Sequence, residues 1–250
     1  MRRVVRGFWG PRQESVEVLA GRWKATLDQL ASLLPSAGSA SGSGSESDVR
    51  AGAGQAWTWR IIAASGQVTD LRSDEASLAA ALRTAQEADG WSDRAGTGLR
   101  LVCTGEPGWK ISVSGLAGGY SEFLLQSMVI EVGSPDDAEV PDTELLTMVA
   151  QLWEPDFGGV TGDDVLDALE DDADFAPDEP SVGWIGYLSP GRAALLSDSM
   201  TAARKEVRGG GVLLDIAASD DIEDVVEANV RLKDAGALHP LPRPMNRAAL

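Results

Sequence analysis

The chain is poor in the residues on which many enzymes depend. Of its 250 residues, one is a cysteine, Cys103, and one a histidine, His239. A single cysteine excludes a disulfide framework or a cysteine zinc site, and fits a reducing, cytoplasmic setting. His239 lies in Leu238-His-Pro-Leu-Pro242 with no serine or cysteine motif placed to use it, which weighs against a Ser-His or Cys-His nucleophilic site. Cys103 sits within an apolar run and reads as a buried strand thiol rather than a reactive one. Long hydrophobic runs are also missing. No stretch approaches the roughly 18 uninterrupted apolar residues of a membrane span. The basic start, Met1-Arg-Arg-Val-Val-Arg6, has no apolar stretch of roughly 7 to 15 residues behind it, so it does not read as a secretory signal.

Positive charge is missing from one long window. Between Lys110 and Arg192 there is no basic residue, while residues 111–191 carry 18 of the 39 acids. The other 21 acids match the 21 bases, so this window accounts for the whole formal charge of −18. Acidity so localised repels nucleic acid and anionic membrane, and it steers a basic protein surface towards itself. Its blander role is to keep the protein in solution.

The remaining pattern is that of a globular α+β chain, a largely antiparallel sheet of five to seven strands with helices packed on it. Residues 1–250 read as one domain. Strand candidates are Val4 to Trp9, Trp57 to Ile62, Leu99 to Thr104, Trp109 to Val113, Phe123 to Val132, Val182 to Leu188 and Gly211 to Ile216, with the middle ones forming a meander. Glu14 to Leu34 carries Val18, Leu19, Trp23, Leu27 and Leu30 at helical spacing. Further helices are expected from Ser73 or Asp74 to Ala88, from Asp142 to Trp153, from Thr161 or Gly162 to Glu170, and from Asp220 to Ala235, closed by Gly236. Pro190 to Arg204 reads as partly helical. The acids Asp167 to Asp174 oppose the helix dipole and should fray their helix. Residues 36–55 are rich in Ser, Gly and Ala with little apolar bulk, and read as a flexible loop within the domain.

No motif points to catalysis, a cofactor or a metal. Gly209-Gly-Gly211 precedes a strand, whereas a phosphate cradle sits between a strand and a helix and is followed by Lys. Gly115-Leu-Ala-Gly-Gly119 also lacks that lysine. Asp172-Ala-Asp174 with Asp178-Glu179 echoes a calcium loop, but Ala176 and Pro177 stand where the loop needs Asx and Gly. The eight tryptophans fall mostly within strands and helices, as core residues do. Trp91, between Gly90 and Ser92-Asp93, is the candidate exposed contact residue.

Several stretches resemble one family. Val5-Arg-Gly-Phe-Trp-Gly-Pro-Arg-Gln-Glu-Ser15 and the helix after it, Phe123 to Val132, Trp153-Glu-Pro-Asp-Phe157, Gly183-Trp-Ile-Gly-Tyr-Leu-Ser189, and Gly210-Gly-Val-Leu-Leu through Leu238 occur in the order seen in the immunity protein 52 family. Residues 70–98 match it poorly, and 36–55 fit no pattern of the family. The resemblance implies the antidote of a bacterial polymorphic toxin system, including those delivered by type VI secretion, that binds a toxin with a restriction-endonuclease-like nuclease fold.

Such a nuclease holds phosphate with Lys and Arg, so an acidic folded surface can occupy its cleft. The candidate toxin-binding residues are Asp136, Asp137, Glu139, Asp163, Asp164, Asp167, Glu170, Asp171, Asp172 and Asp174, with Trp91 beside them as an anchor. Alternatively the acids only steer while aromatic anchors hold an exosite. Trp9, Arg12, Trp153 and Trp184 are motif residues that serve either the fold or the contact. The partner expected is a basic toxin domain, with no direct nucleic acid or membrane contact. The alternative function is a non-catalytic adaptor or chaperone for a secreted effector.

Overall fold

A computed structural model describes residues 2–35, 57–63, 65–104, 108–136, 138–173, 175–176, 179–196 and 203–250. The opening strand β1 (Arg2–Trp9) alternates as a half-buried strand must, with Val5 and Trp9 fully buried on one face and Arg6 and Phe8 part-buried on the other. It lies inside the sheet, antiparallel to β6 (Gln126–Gly133) on one side and β7 (Phe157–Thr161) on the other. The other strands are β2 (Trp59–Ile62), β3 (Val68–Leu71), β4 (Thr97–Thr104), β5 (Lys110–Ala117), β8 (Ile185–Leu188), β9 (Ala203–Glu206) and β10 (Val212–Asp215). Among the described residues they form one ten-stranded sheet, ordered β3-β2-β4-β5-β6-β1-β7-β8-β10-β9, with every pairing antiparallel.

Helices α1 (Val16–Leu33), α2 (Glu75–Gln86) and α3 (Asp142–Trp153) bury their apolar stripes in the main core with Leu101, Val113 and Ile130. Ser15 caps α1 through the Val18 N–H, and Asp74 caps α2 through the Ser77 N–H, each satisfying a donor that the first helical turn leaves open. Three indoles lock α1, α3 and β1 together. Trp9 stacks on Trp153 at 5.7 Å, Trp23 meets Trp153 edge-on at 5.8 Å, and Trp153 Nε1 donates to Thr26 Oγ1 at 2.9 Å.

The opposite face is covered over only part of its width. Helix α6 (Ile222–Asp234) brings Leu232 onto Phe157, Leu188 and Leu214 of β7, β8 and β10, and α4 (Asp163–Ala173) packs beside α6. On β4, β5 and β6 the same face is open: Ser112, Ser114, Ser127 and Val129 are part-exposed and Arg100 is exposed.

At the seam between α6 and the sheet lies a buried ion pair. Arg192, in the single turn α5 (Pro190–Ala193), donates from Nη2 to Asp156 Oδ2 at 2.6 Å, and both side chains are wholly inaccessible. Arg192 Nη1 donates to the carbonyls of Ala237 and His239, and Asp156 Oδ1 accepts from Ser189 Oγ and the Leu250 N–H. The guanidinium lies 5.1 Å from the Phe157 ring centre. This cluster binds the segment after α6 back onto the start of β7, helped by Gly10 N–H donating to the Ala248 carbonyl.

Several expectations change. The sheet has ten strands rather than five to seven. Strands β3 (Val-Thr-Asp-Leu) and β9 (Ala-Arg-Lys-Glu) lie at the two edges, where exposed polar residues guard against further pairing and leave no hydrophobic signal. Strand β7, Phe-Gly-Gly-Val-Thr, is buried at every position, so it has no alternation to read. The 190–204 stretch is partly helical over Pro190–Ala193, as expected, while its last two residues open β9, and Phe123–Leu125 precede β6 as a loop. Helix α4 continues through Ala173, because Val165 and Leu169 are anchored in the core and the Phe175 N–H bonds back to the Leu169 carbonyl. The 36–55 loop lies outside the described residues.

Removing one member of the buried pair strands a charge. Asp156→Asn is expected to cost roughly 3–5 kcal/mol of unfolding free energy, whereas Asp156→Leu combined with Arg192→Met recovers a large part of it. Urea unfolding followed by tryptophan fluorescence measures both.

Candidate partner-binding surface

Helix α4 is amphipathic, with Val165 and Leu169 turned inward and Asp163, Asp164, Asp167, Glu170 and Asp171 exposed. Asp163 and Asp164 in its first turn sit favourably against the helix dipole. Helix α6 turns Val225, Asn229 and Leu232 inward, and Asn229 clamps the 180s segment by accepting from the Val182 N–H and donating to the Val182 carbonyl. Its outer side exposes Glu223, Asp224, Glu227 and Asp234. The two helices therefore form one acidic layer. Its α6 half lies beyond the base-free window, which Arg192 ends, and Arg231 and Lys233 interrupt the charge run of α6 itself. The acid-rich first turn after the Asp221 cap is the signal that could have found it.

In space, six of the window's 18 acids are paired with bases from outside it. Arg2 bonds Asp163 and pairs with Glu131 at 3.2 Å, while Arg3 holds Asp142 at 3.1 Å and Arg22 holds Glu154 at 3.3 Å. Arg192 takes Asp156, and Lys233 takes Glu179 at 2.7 Å. The bonds from Asp163 and Glu131 hold the Arg2 guanidinium above its usual range. On α6, Arg231 is engaged by Glu227 at i, i+4. Glu122, Glu139 and Glu144 stand exposed and apart from one another, and a row remains on α4. Asp164, Asp167, Glu170 and Asp171 are exposed and make no ion pair among the described residues.

The other candidates fall differently. Asp136 and Glu139 are exposed in the loop between β6 and α3, and Arg2 links the end of β6 to the first turn of α4. Asp172 lies within α4. Asp137 and Asp174 lie outside the described residues. Trp91 is not brought to the acidic layer. It stands in the loop before β4, with β5, β6 and β1 between that strand and β7, and its indole N–H donates to the Gly96 carbonyl at 3.0 Å while the residue is 39% exposed. Its evident work is to staple that loop.

The motif residues prove structural. Arg12 lies over the Trp9 ring at 5.0 Å and donates to the Trp153 carbonyl at the end of α3, and Glu14 accepts from Arg22. Trp184 Nε1 donates to Asp142 Oδ2 at 3.0 Å, on the oxygen that Arg3 also engages. A Cβ at position 183 would overlap the Val160 carbonyl oxygen, so only glycine fits there. Burial pushes the Cys103 thiol up, away from reactivity. Among the described residues no helix is long and apolar enough to cross a membrane, and no group of three His, Cys, Asp or Glu side chains is placed to hold a metal.

No protein-family model matches the chain, and no curated protein matches it. The likeness to the immunity protein 52 family therefore rests on the motif stretches themselves. Among solved structures, a Pseudomonas aeruginosa protein described as a T6SS protein is similar at 15% identity with a TM-score of 0.48, over 95% of this chain and 73% of that one. Likeness at that level says nothing about what either chain binds.

Asp142 offers a pH readout of this packing. Burial pushes its carboxyl above the ordinary range, although Arg3 and Trp184 pull the other way, and Oδ1 is buried without a hydrogen bond. A raised folded-state value means that the native protein holds this proton more tightly than the unfolded chain does. The stability it contributes is then present at acid pH and lost as pH rises above the ordinary carboxylate value. The unfolding free energy of the wild type minus that of Asp142→Asn is expected to fall as pH rises through and above the ordinary carboxylate value of about 4, measured by urea titrations at each pH.

Proposed function

We propose that the protein is an immunity protein that binds and neutralises a basic toxin domain, a nuclease of restriction-endonuclease-like fold, and that the α4–α6 layer is the surface that engages it. The observation that carries this reading is the row Asp164, Asp167, Glu170 and Asp171, four exposed carboxylates on one short helix with no cation among the described residues spent on them. Six other acids of the window are matched by basic side chains, and this row is where unmatched exposed carboxylates of the described window stand together on one helix, so that their fields add outward. The motif stretches supply the immunity assignment, and the layer supplies a physical means.

The mechanism needs no covalent chemistry, cofactor or metal. A nuclease cleft concentrates Lys and Arg to hold phosphate, and rigid carboxylates can take the place of the nucleic-acid backbone there. Asp163 helps orient α4 through Arg2, which also holds Glu131 of β6. Val165 and Leu169 fix the helix against the core, so the carboxylates are presented without a large ordering cost on binding. Long-range attraction acts mainly on the association rate, and close pairing acts on dissociation.

The test is co-expression with the toxin domain encoded beside this chain, followed by kinetics on the purified pair. Wild type is expected to rescue growth and to co-purify. The variant carrying Asp164→Asn, Asp167→Asn, Glu170→Gln and Asp171→Asn should associate about tenfold more slowly at low salt, with the difference shrinking as salt screens the charges. Association rates equal to wild type at every salt concentration would remove the acidic layer from the mechanism. Cell death despite co-purification with wild type would point instead to an adaptor that loads an effector without inhibiting it.

A further inference from the structure

A second site lies where the open half of the sheet meets the layer formed by α6 and the segment after it. There the sheet floor steps up into a groove of about 290 Å³ lined by Arg6, Phe8, Ser127 and Phe157 of the sheet and by Phe123 and Leu124 of the loop before β6. Strand β1 carries three arginines, and two have carboxylates: Arg2 has Glu131 and Asp163, and Arg3 has Asp142. Arg6 has none. Its cross-strand neighbours are Val129 and Gly159, so the register offers it no acid. Its Nη2 donates to Ser181 Oγ at 2.7 Å and its cation lies 5.9 Å from the Phe8 ring centre, while its Nε is shut off from solvent with no acceptor. Desolvation alone pushes this guanidinium down to about 10, the direction expected of a buried cation that no carboxylate offsets, and it stays charged at neutral pH.

The rim is as unusual as the floor. Phe123 is 57% exposed and Leu124 43%, side by side at the mouth of the groove. They are held there: the Tyr120 and Ser121 N–H groups donate to the Arg94 carbonyl, and the Met245 N–H donates to the Glu122 carbonyl. A pair of apolar side chains fixed outward beside an uncompensated cation suits a ligand that is apolar at one end and anionic at the other. The neighbouring charges agree. Glu179, the acid at the groove, is already bonded to Lys233, a second arginine, Arg243, lines the same groove, and Arg100 and Lys110 on the open sheet face make no ion pair with a described residue.

We propose that this groove binds a short segment of a partner protein in which a carboxylate side chain adjoins an aromatic or aliphatic one, the carboxylate meeting Arg6 and the apolar side chain lodging between Phe123, Leu124 and Phe157. This site is distinct from the acidic layer and takes the opposite charge, so it stands or falls apart from the proposed function. A guanidinium already buried in a fixed pose gains a counter-charge without losing further rotamer freedom, and charge-assisted hydrogen bonds are the stronger kind.

The experiment uses the full chain and two blocked dipeptides, acetyl-Glu-Phe-amide and acetyl-Gln-Phe-amide, with 3-phenylpropionate as a small-molecule comparison. Binding is read from the NMR shifts of the Arg6 Nε–H and the Leu124 methyl groups. The Glu peptide is expected to bind with a dissociation constant on the order of millimolar, the Gln peptide about tenfold more weakly, and Arg6→Gln to lose that preference. Phe123→Ser, at an exposed position, keeps the fold and should weaken the Glu peptide several-fold. Equal binding of the two peptides, or no shift at either reporter, overturns the proposal. Tighter binding of 3-phenylpropionate than of the Glu peptide overturns the peptide assignment and makes the groove a small-carboxylate site.

Discussion

The buried pair between Asp156 and Arg192 is the constraint around which the second half of the molecule is arranged. Asp156 precedes β7, Arg192 follows β8, and their contact gathers Ser189, the carbonyls after α6 and the segment ending at Leu250 into one hydrogen-bonded knot. A charge moved out of water is tolerated only when geometry and further hydrogen bonds compensate it. Three of the four charge-assisted contacts on Arg192 and Asp156 beyond the pair itself go to main-chain groups, so the pair fixes chain paths as well as side chains. With that seam closed, α6 lies on β7, β8 and β10 and presents its acidic side outward beside α4.

The same seam decides where the sheet stops being covered. The layer of α4, α6 and the following segment ends over β1 and β7, leaving β4, β5 and β6 open on that face. The step so produced is the groove floored by Arg6. Charge is segregated across it, with carboxylates on the helical layer and cations on the open sheet. At physiological salt, charges farther apart than about 8 Å are largely screened from each other, so a chain of net charge −18 can offer an anion-attracting site locally. The two surfaces suit different contacts, and one partner could engage both only by spanning the step.

Much of the architecture was legible in the sequence. The helical spacing of Leu19, Trp23, Leu27 and Leu30 and the Gly236 stop correspond to a buried stripe and a positive-φ glycine that local chemistry dictates. What was hidden has a common cause. Strands β3 and β9 are polar because they are edges, and β7 lacks alternation because both its faces are buried, and neither condition exists until the sheet is assembled. The persistence of α4 past Glu170 is likewise a tertiary effect, since core burial of Val165 and Leu169 outweighs a few unfavourable charges near a helix end.

The sequence by itself determined the α+β class, the order of the helices, the poverty in catalytic residues and the total charge, because each depends on residue identity or short-range periodicity. Only the tertiary structure decided which charges are free. Arg2, Arg3, Arg22 and Arg192 lie outside the acidic window in sequence yet neutralise some of its members in space, while Arg6, two alternations along β1 from Arg2, finds no acid among the described residues. Coulomb energy depends on distance and desolvation, not on separation along the chain. A run of acids therefore fixes how much charge the molecule carries, and the fold fixes where that charge can act.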